Sequence, residues 1–263
     1  MNLDSHFLTT IFFASISGII PILIWIFFWT REDKKNPEPK KMLALAFIGG
    51  ALAVFISLFL EKYFYGLNFE NLFAINIFGD ILSYFETIAK QINITLDRVL
   101  LIIIFAPIIE EISKFLMAYV FVLRSKVNNE PLDPMIYMIM TALGFSAVEN
   151  IFFLINPFNI YDYTTIIFTG NMRFVGATLL HTISSAIIAM FISFHFFDSK
   201  IKKIFFVILG IICSIIIHSI FNFLIIVDQK ASFLALILIW IITIIILLAF
   251  EKIKKIRNNC KDF

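Results

Sequence analysis

Seven stretches of the chain run almost without polar side chains: 7–29, 42–60, 99–123, 135–155, 174–197, 204–227 and 231–250. Each reaches the roughly 20 residues that a helix needs to cross the hydrocarbon of a bilayer. Helix is required there, because lipid offers unpaired backbone groups no partner. The first run lacks the basic flank and small-residue cleavage site of a signal peptide, so it reads as an anchor. The longest connection, Glu61 to Arg98, has a pattern of its own. Phe69, Phe73, Ile77, Ile81, Phe85, Ile88 and Ile92 recur at helical spacing, with Glu70, Asp80, Glu86 and Lys90 off that stripe. This predicts an amphipathic helix over 69–92, lying in the outer interface. Inserting that stripe would give an eighth, irregular span, which its four charges oppose. The pattern therefore predicts an all-α fold: a polytopic membrane helix bundle over 1–263, with seven transmembrane helices, eight at most, plus one amphipathic helix.

Composition agrees. Of 263 residues 60% are hydrophobic and 15% charged, where a soluble domain carries about 25% charged residues. A soluble enzyme, a disordered chain and a low-complexity protein are excluded. Two cysteines provide no disulfide framework, and a net charge of +2 argues against a nucleic-acid partner. The 21 basic residues are unevenly placed: 15 fall in the loops after the first, third and fifth runs and in the C-terminal tail, and 5 in the alternate loops. The positive-inside rule then predicts an outside N-terminus and a cytoplasmic C-terminus.

The remaining basic residue, Lys114, lies inside the third run with Glu110 and Glu111, and Glu149 lies inside the fourth. A charge at the bilayer centre costs about 2.5–3.5 kcal/mol on insertion scales, so these four must be paired, protonated or useful. Glu110 and Glu111 stand four and three residues before Lys114, within reach of its ammonium. One cation cannot neutralise two carboxylates, which leaves one glutamate poised for acid–base work. Pro107 should free the carbonyl of Ile103 and kink the helix one turn earlier. His181, His218, Asn150 and Asn222 add neutral polar groups, His218 and Asn222 sharing one helix face. His6 and His195 sit at run ends and read as solvated bystanders.

Depth brings these residues together. Counted from the predicted outer end of each run, Glu110 is 11 residues in, His181 is 7, Glu149 is 6, His218 is 9 and Asn222 is 5. That places all five at roughly 8–17 Å, one layer in the outer half of the membrane. Several chemistries fit such a layer. A glutamate could activate water; zinc could sit on Glu110, His181 and His218, with no His-Glu-x-x-His motif to hold it; the acids and histidines could relay protons in a carrier; or the polar groups could be glue in a scaffold. Ser184 and Ser185 lie near His181, but no third group completes a nucleophilic triad.

In this order and on these helices, the motifs Glu110-Glu111-Ile112-Ser113-Lys114, Gly144-Phe145-Ser146-Ala147-Val148-Glu149-Asn150, His181 with Ser185, and His218 with Asn222 resemble the PrsW family of intramembrane proteases. That family is related to the CAAX prenyl endopeptidases and bacteriocin-immunity membrane proteins. Asp33-Lys34-Lys35-Asn36-Pro37-Glu38-Pro39 matches a further family stretch, with Asn36 where a glutamate is usual. The resemblance implies a glutamic-type endopeptidase of the bacterial plasma membrane, making a site-1-type cut in a single-span protein such as an anti-sigma factor. It implies Glu110 as general base, Glu111 as its partner oriented by Lys114, His181 and His218 as groups positioning water or polarising the carbonyl, and Asn222 as an oxyanion donor. Glu149 and Asn150 complete the layer. No cofactor is expected, zinc remaining the alternative.

Overall fold

Apolar runs that bury their backbone in lipid must become helices, and they do. The computed structural model describes residues 3–32, 36–65, 79–93, 95–155 and 163–261, and among these there is no strand. The helices are α1 (Leu3–Glu32), α2 (Lys40–Tyr65), α3 (Gly79–Gln91), α4 (Leu96–Leu123), α5 (Asp133–Leu154), α6 (Tyr163–Val175), α7 (Ala177–Phe194), α8 (Lys200–Val227) and α9 (Gln229–Lys261). Among the described residues, six spans are long and apolar enough to cross a membrane, α6 and α7 together forming one of them over Ile166–Phe194. A seventh is counted when α4 is joined to α3, from which it is bent by 108°.

At the centre stands α5, almost wholly buried against α1, α2, α4 and α7. Its closest neighbour is α2, and two glycines explain how close. A Cβ placed on Gly50 would lie 1.8 Å from the Thr141 carbonyl oxygen, and one on Gly144 would lie 1.9 Å from that of Phe47. Neither position tolerates any side chain, so backbone meets backbone there, as small residues permit in membrane interfaces. The outer faces of the peripheral helices carry Phe12, Phe55, Phe59, Ile208 and Leu248 exposed, which lipid solvates.

One feature of the helix layout departs from the sequence reading. The fifth run was expected to start at 174, but helix already begins at Tyr163 and breaks at Gly176. Gly170, Asn171 and Arg173 read as loop; in the helix that they join, Arg173 pairs with Glu149 on α5. The amphipathic helix is present as α3 from Gly79, the preceding residues 69–78 lying outside the described ones. Its buried Ile88 and Ala89, with Phe85, seat it on Val99, Ile103 and Phe223.

In the loop after α1, Asn36 donates from Nδ2 to Glu130 Oε1 at 2.6 Å, a bond no glutamate at 36 could donate. Glu38 accepts from the Tyr137 hydroxyl, tying this loop to the start of α5. Residues 33–35 of the same motif lie outside the described residues.

Candidate active site

Neighbouring glutamates on α4 turn to opposite surroundings. Glu111 is fully buried, and four donors meet it. Lys114 Nζ donates to its Oε1 at 2.6 Å, as do Ser184 Oγ at 2.9 Å and His218 Nδ1 at 2.7 Å, while Ser214 Oγ donates to Oε2 at 2.9 Å. One carboxylate so joins α4, α7 and α8. Lys114 also lies over the Phe145 ring, 5.1 Å from its centroid.

Glu110 is 8% exposed, and its Oε2 is buried without a hydrogen-bond partner. That oxygen faces His181 Nδ1 at 3.7 Å and His218 Nε2 at 3.8 Å, too far for direct hydrogen bonds. The hydrogen-bond network assigns the protons on the two rings. Lys114 Nζ, a donor only, sits 3.2 Å from His181 Nδ1, and Glu149 Oε2 sits 3.0 Å from His181 Nε2. His181 therefore carries its proton on Nε2 and keeps a lone pair on Nδ1. His218 donates from Nδ1 to Glu111, which leaves the lone pair on Nε2. Two imidazole acceptor nitrogens and one carboxylate oxygen thus converge, with the Lys114 ammonium reaching only the His181 nitrogen. Such a set calls for a water that donates both hydrogens, or for a cation.

The other expected residues surround this point. Glu149 Oε2 accepts from Arg173 Nη2 at 2.5 Å as well as from His181. Asn150 accepts at Oδ1 from Arg173 Nε, also at 2.5 Å, and donates from Nδ2 to Thr178 Oγ1 at 3.0 Å. Asn222 donates from Nδ2 to the Ile102 carbonyl at 3.0 Å. That contact corrects the expected effect of Pro107. Residues Leu101–Phe105 form a π-helical turn in which the Ala106 N–H bonds Leu101 O. Pro107 has no N–H to offer, so Ile102, one residue earlier than expected, has the orphaned carbonyl. Asn222 supplies the missing donor.

A cavity of about 540 Å³ opens on these groups, lined by Glu110, Glu149, His181, His218 and Asn222 among mostly apolar side chains. Glu111, Lys114 and Asn150 stand behind the wall. Three polar residues that the sequence reading did not single out belong to the arrangement: Ser214, Arg173 and Glu61, the last two lining the cavity. Ser214 was legible as one turn before His218 on the same face. Arg173 and Glu61 fall at the ends of apolar runs, where charge is ordinary. Ser184 is engaged by Glu111 and the His181 carbonyl, while Ser185 Oγ is buried without a partner; neither is bonded to an imidazole.

A bundle of spanning helices that gathers acids and histidines around a cavity defines a polytopic membrane protein with a cluster of ionisable groups among its spans. Residues 38–249 match the PrsW family, described as intramembrane metalloproteases, and the chain belongs to that family. It is 25% identical over 247 residues to Protease PrsW of Clostridioides difficile (strain 630), covering 93% of this chain and 91% of the relative. With Protease PrsW of Geobacillus kaustophilus (strain HTA426) it shares 22% over 222 residues, covering 83% and 82%. No solved structure matches the chain. Membership decides among the classes left open above in favour of an intramembrane protease.

The family's description raises a metal, and the donor set fits one. Ligand atoms of Glu110, His181 and His218 lie within 4.8 Å of one another. Each imidazole also rests its far nitrogen on a carboxylate, Glu149 or Glu111, which is the outer shell that orients metal-binding histidines. Against a cation stands Lys114, whose ammonium also reaches His181 Nδ1, so that nitrogen serves one partner at a time.

Proposed function

We propose that the protein is an endopeptidase that cuts a membrane-anchored, single-span protein beside its extracytoplasmic end, with Glu110 as general base. One observation carries this: the Glu110 Oε2 atom, buried, unpartnered and aimed at two histidine lone pairs beside a cavity. A water placed there gives one hydrogen to Glu110 and the other to His181 Nδ1, while Lys114 stays on Glu111. Its oxygen is then free to attack a peptide carbonyl. Glu110 takes the proton as the carbon–oxygen bond forms, and returns it to the leaving amine as the carbon–nitrogen bond breaks. The oxyanion of the intermediate is met by the second N–H of the Asn222 amide, while His218, held at Nδ1 by Glu111, keeps its Nε2 lone pair turned to the same point. Where a divalent ion is bound, Glu110, His181 and His218 would hold it, and it would supply Lewis acidity and a more acidic water.

The distribution of basic residues supports an outside N-terminus and a site opening outward. With bacterial relatives, that suits a plasma-membrane protease making the first cut in regulated proteolysis, an anti-sigma factor being one such substrate. The test profiles new protein N-termini in membranes expressing the wild type and Glu110→Gln at equal abundance. Termini that vanish with Glu110→Gln are expected; their absence would overturn the reading. Repeating the profile after chelation and zinc return decides the metal: activity lost and then restored assigns the ion, and activity unchanged assigns the carboxylate and water alone.

A further inference from the structure

The polar layer has more acid than base. Among the described residues it holds Glu61, Glu110, Glu111 and Glu149 against two cations, Lys114 and Arg173. Lys114 is committed to Glu111 at 2.6 Å and Arg173 to Glu149 at 2.5 Å. Glu110 faces the two histidines. Glu61, half-buried four residues before the end of α2, lines the same cavity, and neither a hydrogen bond nor an ion pair joins it to another described residue. It lies close enough to Glu149 and Glu110 for the three carboxylates to repel one another.

An unmatched carboxylate is costly at membrane depth, and among the described residues no cation pairs with Glu61. The cavity it lines must receive a peptide segment if the proposed proteolysis holds, since the unpartnered Glu110 oxygen faces into it. We infer that Glu61 is a specificity-determining residue that binds a lysine or arginine side chain of the substrate close to the scissile bond. This rests on the protease reading and extends it. A basic side chain seated there would pair with Glu61 and screen its repulsion of Glu149, so that every carboxylate of the layer except Glu110, which faces the two histidines, would then have a cation. An apolar side chain would fill the cavity but leave the carboxylate unpaired, and the difference between the two is the selectivity. An acidic side chain would add a further repulsion. Glu61 reaches the substrate without touching the reacting atoms, so its removal should alter which bonds are cut and leave Glu110 in place.

The same N-terminal profiling tests this, with Glu61→Gln, Glu61→Asp and Glu61→Lys added and protein abundance matched. In the wild type, the Glu110-dependent sites should carry Lys or Arg within one helical turn, about 4 residues, of the cut. Glu61→Gln should reduce cutting at those sites on the order of tenfold, Glu61→Asp should largely restore it, and Glu61→Lys should shift cutting toward sites bearing Asp or Glu. Glu110-dependent sites without basic preference, or cut equally by Glu61→Gln, overturn the inference and leave the protease reading standing. The wild-type preference decides even if a variant fails to accumulate. No Glu110-dependent terminus at all removes both.

Discussion

Glu110 and Glu111 are joined by one peptide bond and live in different proteins, physically speaking. On the Glu111 side of α4 every polar atom of the carboxylate is taken: a lysine, two serines and a histidine from three helices close on it in a dry interior. On the Glu110 side, an oxygen of the same chemistry has no hydrogen-bond partner beside an open cavity. Satisfied groups rigidify, and an unsatisfied buried one marks a place left for something else to bind. The contrast teaches that intramembrane charge has two uses, and that partner geometry, not residue type, tells them apart.

Substitutions on the two sides should therefore fail in different ways. The largest effect is expected from Glu110→Gln, which keeps shape but cannot accept the water's proton. Activity should fall by about 10²–10⁴-fold while thermal stability in detergent stays near that of the wild type. Equal loss of stability and activity would erase the contrast. Next comes Lys114→Met, which strands Glu111 as a buried charge and should cost about 3–5 kcal/mol, read as a lowered Tm and reduced abundance before any assay of turnover. Gly144→Ala forces a methyl into the Phe47 carbonyl and should cost about 1–3 kcal/mol of overpacking. Its readout is the same Tm, and an unchanged value would mean that α2 and α5 can separate freely. The mildest is Arg173→Gln, which unties Glu149 and with it His181 at the rim of the cavity. We expect a loss of activity on the order of tenfold with a small change in Tm, measured on a fluorogenic single-span substrate in proteoliposomes.

The sequence made the spans and the candidate site legible for one reason: lipid penalises polarity, so Glu110, Glu111, Lys114, Glu149, His181 and His218 stood out against their runs. That contrast fades at run ends. Glu61 and Arg173 carry the same charges but fall where water is expected, and only the fold turns them inward. The depth argument placed His181 near its neighbours although its helix starts earlier than expected. The break at Gly176 explains this, since α7 starts afresh at Ala177, a few residues from the expected start. Which glycines touch was not legible at all, because contact between Gly50 and Thr141 depends on which helices pair. Pro107 signalled a disturbed turn, but the orphaned carbonyl moved by one residue once the turn became π-helical.

That turn, Leu101–Phe105, has a consequence for the phase of α4. Each residue advances an α-helix by about 100°, and a π-turn absorbs one extra residue without breaking the rod. Upstream, Val99 is fixed by its packing under α3; downstream, Glu111 is fixed by its four donors. Deleting a single residue between them would force one end to turn against the other, and the glutamate looking into the cavity would no longer be Glu110. The bulge acts as the index mark of a dial: one spare peptide unit sets which of two identical side chains faces the cavity.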